Sequence, residues 1–445
     1  MITQTQTSKV MKLSPEIVGE IFKNFSTTLN IHKPQLFPWF LGQICAEWRN
    51  VFLSLSTKFW GYIEIDVSHV RLRRVFPHSV ANFERALDIL NFCLKCSQGC
   101  PLSFTFRMTL FGQYYADEYA YVVDILNAFI TQSMRWLKAE FYCLPVTELQ
   151  RLHFVKGRTP LLRSFVLMHP EDPWGQSDLE PLPVDERFAG TFEQSPNLKH
   201  LQLSDMRVSK FHWTSIESFR LGSLTNAGKL VAALSQAVSL KELEIGLGDT
   251  YGKPIDIDNA QSMITLPSLK KLALHTHNIL GALTTPGLKY LSVNFRGRDG
   301  QIKTIPSFVH RSSCSLRHLS LWHSEPAVAV EVLSHIPGLS SLLFRDEKPG
   351  IQRSIKFLNC DMPEGASLVA PRLKSLEVET REGLNMSLLM ELSAVVASRA
   401  RNPGVDGLQK LSLKTDSTRP LDGLTTLQEQ CKQDNVKLTV GRLGA

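Results

Sequence analysis

"LKYLSV" at residues 288–293 and "LRHLSL" at 316–321 are two spellings of one pattern, L-x-x-L-x-L with other apolar residues allowed at the anchors. The last two anchors lie two apart, so they point to one side of a short strand while the residues beside them point to the other. A strand of this kind cannot bury its apolar side alone. It needs copies of itself stacked alongside.

The copies are present. "LRSFVL" starts at Leu162, "LKHLQL" at Leu198, "IESFRL" at Ile216, "LKELEI" at Leu240 and "LKKLAL" at Leu269, and after the two quoted come "LSSLLF" at Leu339, "LKSLEV" at Leu373 and "LQKLSL" at Leu408. Successive starts lie between 18 residues (198 to 216) and 36 residues (162 to 198) apart, a leucine-rich-repeat interval with room for inserted loops. Helical patterns fall between the hexamers. "GKLVAALSQAV" carries Leu230, Val231, Leu234 and Val238, "PAVAVEVLSHI" carries Val328, Val332, Leu333 and Ile336, and "SLLMELSAVVAS" carries Leu388, Leu389, Leu392, Val395 and Val396. Strand and helix in alternation predict an α/β chain, an irregular leucine-rich-repeat solenoid (horseshoe) with parallel strands on the concave face and helices on the convex face.

Upstream, residues 67–160 keep the same order with weaker anchors. "NFERALDILNFCLK" reads as a helix, "PLSFTFRM" as a strand, then "YVVDILNAFI" as a helix and "LKAEFYCL" as a strand, so the segment is read as degenerate first repeats. Two loops interrupt the array, the acidic, Pro-rich "HPEDPWGQSDLEPLPVDERF" at 169–188 and the segment around "RDEKPG" at 345–350. Each reads as a partner-binding lip or as a solvated insertion.

On the solvent side of three consecutive hexamers stand Tyr290, Ser292 and Asn294, then His318, Ser320 and Trp322, then Ser341, Leu343 and Arg345. Tyr, Trp and Arg are the residue types that anchor interfaces. Tyr290, Asn294, His318, Trp322, Leu343 and Arg345 are therefore the candidate substrate-binding residues, the alternative being that a loop at 345–370 folds over Trp322 and buries it.

Composition sets the outer limits. The 445 residues are 43% hydrophobic and 20% charged, enough for several cores or one long array. Lys and Arg exceed Asp and Glu by seven, spread along the chain with one dense cluster, "RLRR" at 71–74, which does not imply nucleic-acid binding. No stretch approaches the ~20 apolar residues that span a bilayer and "MITQTQTSKVMK" has no signal-peptide core, so no membrane role is expected and the chain is read as cytoplasmic or nuclear. Eight cysteines, several among apolar neighbours, fit a reducing compartment.

Chemistry-bearing motifs are sparse. No G-x-S-x-G, G-x-x-x-x-G-K-[ST] or H-E-x-x-H occurs, so the chain is not read as an enzyme, and no cofactor is expected. Cys93, Cys96 and Cys100 have a C-x2-C-x3-C spacing, but the "SQG" before Cys100 ends a helix and a fourth ligand is missing, so they read as packed thiols. "HTH" puts His275 and His277 on one face of a strand, half of a zinc site at most, and no metal is expected.

The first segment is of a different kind. In "LSPEIVGEIF" at 13–22, Ser14 is placed to cap a helix, Pro15 fits its first position and Glu16 complements the dipole, while Ile17, Val18, Ile21, Phe22 and Phe25 form an apolar stripe. "FLGQICAEWRNVFLSLSTKFW" continues with Phe40, Leu41, Ile44, Cys45, Trp48, Val51, Phe52 and Leu55 at helical spacing, more apolar surface than one short neighbour covers.

These segments, with the intervening Pro-containing loop and "IEID", resemble an F-box, and with the repeats the chain resembles the large fungal set of F-box proteins with divergent leucine-rich repeats. Leu13, Pro15, Glu16 and Ile17 match its L-P-x-E-I or L-P-P-E-I opening, from which Ser14 departs at the first Pro, and Ile44, Cys45, Trp48, Arg49 and Val51 match its C-x-x-W-R-x-hydrophobic signature; Phe59, Trp60 and Ile63 match its closing segment. The resemblance implies a flexible N-terminus at 1–10, a three-helix F-box at 11–66, degenerate repeats or a linker at 67–160 and a leucine-rich-repeat domain at 161–445. It further implies docking on a Skp-type adaptor, and through it a cullin, by Leu13, Pro15, Ile17, Ile21, Phe22, Ile44, Cys45, Trp48 and Val51, with the repeats holding a substrate protein for ubiquitination. The competing reading is a repeat scaffold with no ligase role, its N-terminal helices capping the solenoid.

Overall fold

The computed structural model describes residues 13–24, 28–30, 44–54, 60–67, 80–108, 116–144, 146–168, 190–206, 210–222, 227–246, 263–275, 279–294, 304–322, 326–346, 355–361, 368–381, 384–416 and 424–442. The chain divides into two compact units, Met1–Ser215 and Ile216–Ala445, a boundary that falls inside the segment read from sequence as one repeat domain. The acidic loop at 169–188, the basic cluster at 71–74, Phe25, Phe40, Leu41, Leu55, Phe59, His277 and most of 345–370 lie outside the described residues.

The first unit opens with α1 (Pro15–Lys23), β1 (Thr28–Asn30), α2 (Ala46–Leu53) and β2 (Tyr62–Asp66). It continues through α3 (Val80–Cys96), β3 (Leu102–Arg107), α4 (Ala116–Thr131), β4 (Trp136–Tyr142), the short α5 (Val146–Leu149), β5 (Ser164–Met168) and β6 (His200–Leu203). The six strands pair in chain order and all in parallel. Parallel neighbours need a crossover, and α3 and α4 provide it between β2, β3 and β4.

Aromatic rings fill this unit. Phe104 of β3 stacks on Phe129 of α4 at 4.2 Å and meets Trp136 and Phe141 of β4 edge-on at 5.1 and 5.4 Å, all four fully buried. The Trp136 indole N–H donates to the Phe129 carbonyl at 3.0 Å, so its one polar atom is answered inside the core. A second chain of rings runs from Phe22 of α1 to Trp48 and Phe52 of α2, on to Trp60, and from Trp60 to Phe92 of α3. The sheet and this ring chain make 15–66 part of the first unit.

Two details of that segment differ from the sequence reading. Ser14 stands at the N-cap position of α1 in an extended conformation, but its hydroxyl makes no capping bond to the backbone. It serves Glu16 instead, whose carboxyl a backbone hydrogen bond and then Ser14 hold below the ordinary range. The second helix is shorter than its apolar spacing predicts. Cys45, extended at φ −158°, is its N-cap and its sulfur accepts from the Trp48 N–H at 3.4 Å, so Ile44 and Cys45 precede the helix.

The second unit carries β7 (Ser218–Leu221), α6 (Ala227–Leu234), β8 (Glu242–Ile245), β9 (Ile264–Thr265), β10 (Lys271–Leu274), β11 (Leu283–Thr284) and β12 (Tyr290–Asn294). Then follow α7 (Thr304–Ser312), β13 (His318–Trp322), α8 (Pro326–Ser334), β14 (Ser341–Asp346), β15 (Ser375–Thr380), α9 (Met386–Arg401), β16 (Lys410–Thr415), α10 (Leu424–Gln433) and β17 (Lys437–Arg442). Nine strands pair in parallel in the order β7, β8, β10, β12, β13, β14, β15, β16, β17, and β9 pairs with β11 separately.

Every one of the ten hexamers begins its strand at its third residue, from Ser164 in the first to Lys410 in the last. The leading anchors, such as Leu269, Leu288, Leu339 and Leu373, are fully buried. Each contributes ~1.5–3 kcal/mol of burial. Leu230, Leu234, Val328, Val332, Leu333, Leu388, Leu389, Leu392, Val395 and Val396 are buried as the helical spacing predicts, whereas α6 ends at Leu234 and leaves Val238 exposed.

Adjacent repeats approach closely at Gly287. A Cβ there would meet the Pro267 carbonyl oxygen at 2.8 Å and that of Leu269 at 3.3 Å, both backbone atoms that cannot swing away. Gly287→Ala is expected to destabilise the second unit by ~1–3 kcal/mol through this overpacking. Urea unfolding of the two proteins checks it, and an unshifted midpoint would show that the repeats part without cost.

Candidate functional site: a trough across the strands of the second unit

The strands of the second unit are in phase, so each hexamer position forms a row across the sheet. The fifth positions run Arg220, Glu244, Ala273, Ser292, Ser320, Leu343. Three small residues in succession, between Glu244 and Leu343, leave a depression about 10 Å long at the ~4.8 Å spacing of strands. The rows on either side are larger. The third positions include Glu242, Lys271 and Tyr290, and two residues beyond the fifth stand His275, Asn294, Trp322 and Arg345. At ~3.3 Å per residue these walls are about 13 Å apart at their Cα atoms. The cavity between them measures about 460 Å³.

The wall on the Trp322 side is held together by its own contacts. The Trp322 indole N–H donates to Ser320 Oγ at 3.2 Å, its edge meets the His275 ring at 5.8 Å, and the Arg345 guanidinium lies over its face at 4.1 Å. Arg345 is itself fixed by an ion pair with Glu379, a buried carboxylate that Lys414 also reaches at 3.1 Å. A guanidinium stacked on an indole and forked onto a carboxylate is a preorganised group.

The charges at the other end are paired as well. Lys271 meets Glu242 at 2.8 Å; Arg220 and His275 meet Glu244 at 3.3 and 3.2 Å. The hydrogen bond from His275 holds the Glu244 carboxyl below the ordinary range, with the Arg220 charge adding to it against the opposing effect of burial. The solvent-exposed pairs, such as Lys271 with Glu242, are each worth ~0–1 kcal/mol and serve position more than stability.

Of the six candidates read from sequence, Tyr290, Trp322, Leu343 and Arg345 line this cavity. Asn294 is buried at 4% exposure, with no hydrogen-bond partner for its Oδ1. His318 is exposed and beside Tyr290, ring to ring at 6.3 Å, outside the lining. Sequence reasoning weighed His275 only as half of a zinc site and missed Glu244, Arg220 and Lys271, and the signal for them was available. Aligning the hexamers by their first anchor puts Arg220 and Glu244 in line with the small residues and Lys271 and His275 in the rows on either side.

The N-terminal residues sort differently. Phe22 and Trp48 are buried in the ring chain; Leu13, Ile21, Cys45 and Val51 are half-buried and Pro15 is exposed. Ile17, Ile44 and Leu53 of α2 remain 50%, 51% and 48% exposed. Cys93 and Cys96 lie on α3 with Cys100 beyond its end, and burial pushes the Cys93 and Cys96 thiols up, away from the thiolate that a metal needs. Among the described residues no three His, Cys, Asp or Glu side chains gather at a metal-sized site, and no helix is long and apolar enough to cross a membrane.

Comparison with known protein families and with curated proteins finds no match. Among solved structures, an internalin (inlF) from Listeria monocytogenes is similar to 88% of this chain and 92% of its own, with 11% identity and a TM-score of 0.30. At that level neither partner nor chemistry carries over.

Proposed function

We propose that this chain is a binding protein of the repeat type. The strand face of its second unit holds a protein partner, and its N-terminal helices dock on a Skp-type adaptor, making it the substrate receptor of a Skp–cullin–F-box ubiquitin ligase. The observation that carries the binding role is the trough. It is a concavity on a sheet face walled by Tyr290, Trp322 and Arg345, the residue types that anchor interfaces. Support for the ligase role comes from the F-box resemblance of residues 11–66 together with the exposure of Ile17, Ile44 and Leu53, large apolar side chains that a partner would cover. A receptor of this type makes and breaks no bond. It raises the local concentration of its substrate near the ligase by binding at both ends.

The full chain is expected to co-purify with a Skp-type adaptor, and Ile17→Asp combined with Ile44→Asp to reduce that binding at least tenfold with an unchanged thermal melt, because both side chains are already in water. Failure of the wild-type chain to bind at any adaptor concentration would remove the ligase role. The second reading, an N-terminal cap on a ligase-independent scaffold, is favoured by the contact of Trp60 with Phe92, which ties the ring chain of the N-terminal helices to α3.

A further inference from the structure

The residue directly before each hexamer strand of the second unit is the second letter of its hexamer, and these residues form a row along the entry edge of the sheet. On the neighbouring strands β8, β10, β12 and β13 the row reads Lys241, Lys270, Lys289 and Arg317, with Glu217 before them and Ser340 after. A backbone ladder keeps it in step. The Lys270 N–H donates to the Lys241 carbonyl at 2.8 Å, that of Lys289 to Lys270 at 3.0 Å and that of Arg317 to Lys289 at 3.0 Å. Four cations in succession therefore stand ~4.8 Å apart along the row. Glu217 answers Lys241 at 2.6 Å. Lys270, Lys289 and Arg317 are exposed and make no ion pair among the described residues. Like charges directly opposite on adjacent strands oppose folding, so the sheet carries this run at a cost.

An anion relieves that cost, and the ends of the run decide which kind. Glu217 and Glu242 flank it on the β7 side; on the β14 side Ser340 is neutral and Lys374 beyond it is paired with Asp406 at 3.6 Å. The unanswered charge is confined to three strands, about 10 Å from first to last. A nucleic-acid backbone is charged along its whole length and would run on over these carboxylates. An acidic peptide segment can end where the cations end. Three carboxylates on alternate residues of an extended chain span ~13 Å, a mismatch that the long stems of lysine and arginine take up. The run also borders the trough, since Lys271 and Tyr290 of its wall directly follow Lys270 and Lys289. Resting on the reading of this strand face as a partner surface, we propose that Lys270, Lys289 and Arg317 receive a short run of Asp or Glu residues presented by the partner protein at the rim of the trough.

The probe is a fluorescently labelled hexaglutamate peptide, amidated at its C-terminus, whose anisotropy is followed as the full chain is added. At low salt it is expected to saturate with a dissociation constant on the order of 0.1 millimolar, and about 0.5 M salt to weaken it about tenfold or more, because the charges are exposed. Replacing Lys270, Lys289 and Arg317 together by glutamine is expected to weaken binding about tenfold or more, whereas the same change at Lys95, Lys356 and Lys432, exposed lysines elsewhere, leaves it within about twofold. Lys289→Gln alone is expected to raise the thermal midpoint, since like charges flank it on both sides. The proposal is overturned by absent saturation, by equal binding of a hexaglutamine peptide, by equal loss in the two triple variants, or by tighter binding of hexathymidylate. A lowered midpoint for Lys289→Gln also overturns it, by showing that the lysine already has an anionic partner within the chain. A chain that binds the peptide and not the adaptor refutes the ligase role alone; one that binds the adaptor and not the peptide refutes the acidic segment alone.

Discussion

Replacing Arg399 by methionine is expected to lower the unfolding free energy of the second unit by about 3 kcal/mol or more, the largest effect of any single polar side chain there. Arg399 lies near the end of α9 and is 1% exposed. Its Nη2 donates to the carbonyls of Ala370 at 2.8 Å, Pro371 at 3.2 Å and Asp406 at 3.4 Å, and its Nη1 to Cys360 Sγ at 3.8 Å. The three carbonyls belong to the connections before β15 and before β16, so one guanidinium ties two crossovers to one helix. Ala370 also sits at φ +47°, in the left-handed region that a residue with a Cβ enters only under constraint. Methionine fills much of the same volume and answers none of the carbonyls, each a desolvated acceptor at ~1–3 kcal/mol. Part of that is returned because no charge then has to be buried, and burial does pull the Arg399 pKa down. Arg399→Lys should recover part of the loss, since the three carbonyls all face one nitrogen, Nη2, and an ammonium carries three donors, but its shorter side chain leaves Cys360 Sγ unanswered. Urea unfolding followed by circular dichroism measures both variants, and a loss below about 1 kcal/mol would show that water reaches the carbonyls.

Phe104→Ala is expected to destabilise the first unit by about 3–5 kcal/mol. The ring is packed face-on by Phe129 and edge-on by Trp136 and Phe141, so its removal leaves a cavity bounded by rings in fixed orientations. Neighbours that are themselves interlocked cannot collapse into the space, which places this site at the costly end of its class. Phe104→Leu restores apolar volume without the ring geometry and should recover more than half of the loss. If alanine and leucine prove equally damaging, ring stacking and not volume sets the stability of this core.

Much of the second unit was legible before any coordinates. The hexamers mark their own strands because a Leu at the first position and apolar residues at the fourth and sixth admit only one orientation of the pleat. Helix positions such as Leu392 and Val396 were legible from periodicity, but helix ends were not. Cys45 looks apolar and acts as a cap, and Val238 looks like the end of a stripe and lies beyond the helix. Half of the trough was legible as well, through Tyr290, Trp322, Leu343 and Arg345. The other half comes from β8 and β10, whose Glu244 and His275 look like ordinary surface charge until the rows are aligned. The burial of Asn294 could not be read from alternation, which places it on the same side as Trp322 and says nothing of what lies over it.

The in-phase register of the second unit means that position on the sheet face is counted in hexamers and not in residues. The interval from Leu269 to Leu288 is 19 residues and that from Leu373 to Leu408 is 35, yet both deliver the next strand with its third residue in the same row. Lengthening a connection costs only ~0.6 kcal/mol for each doubling of a flexible loop. A lineage of such chains can therefore gain or lose whole loops at the periphery while the strand face changes one letter at a time, so that the two surfaces drift on separate clocks.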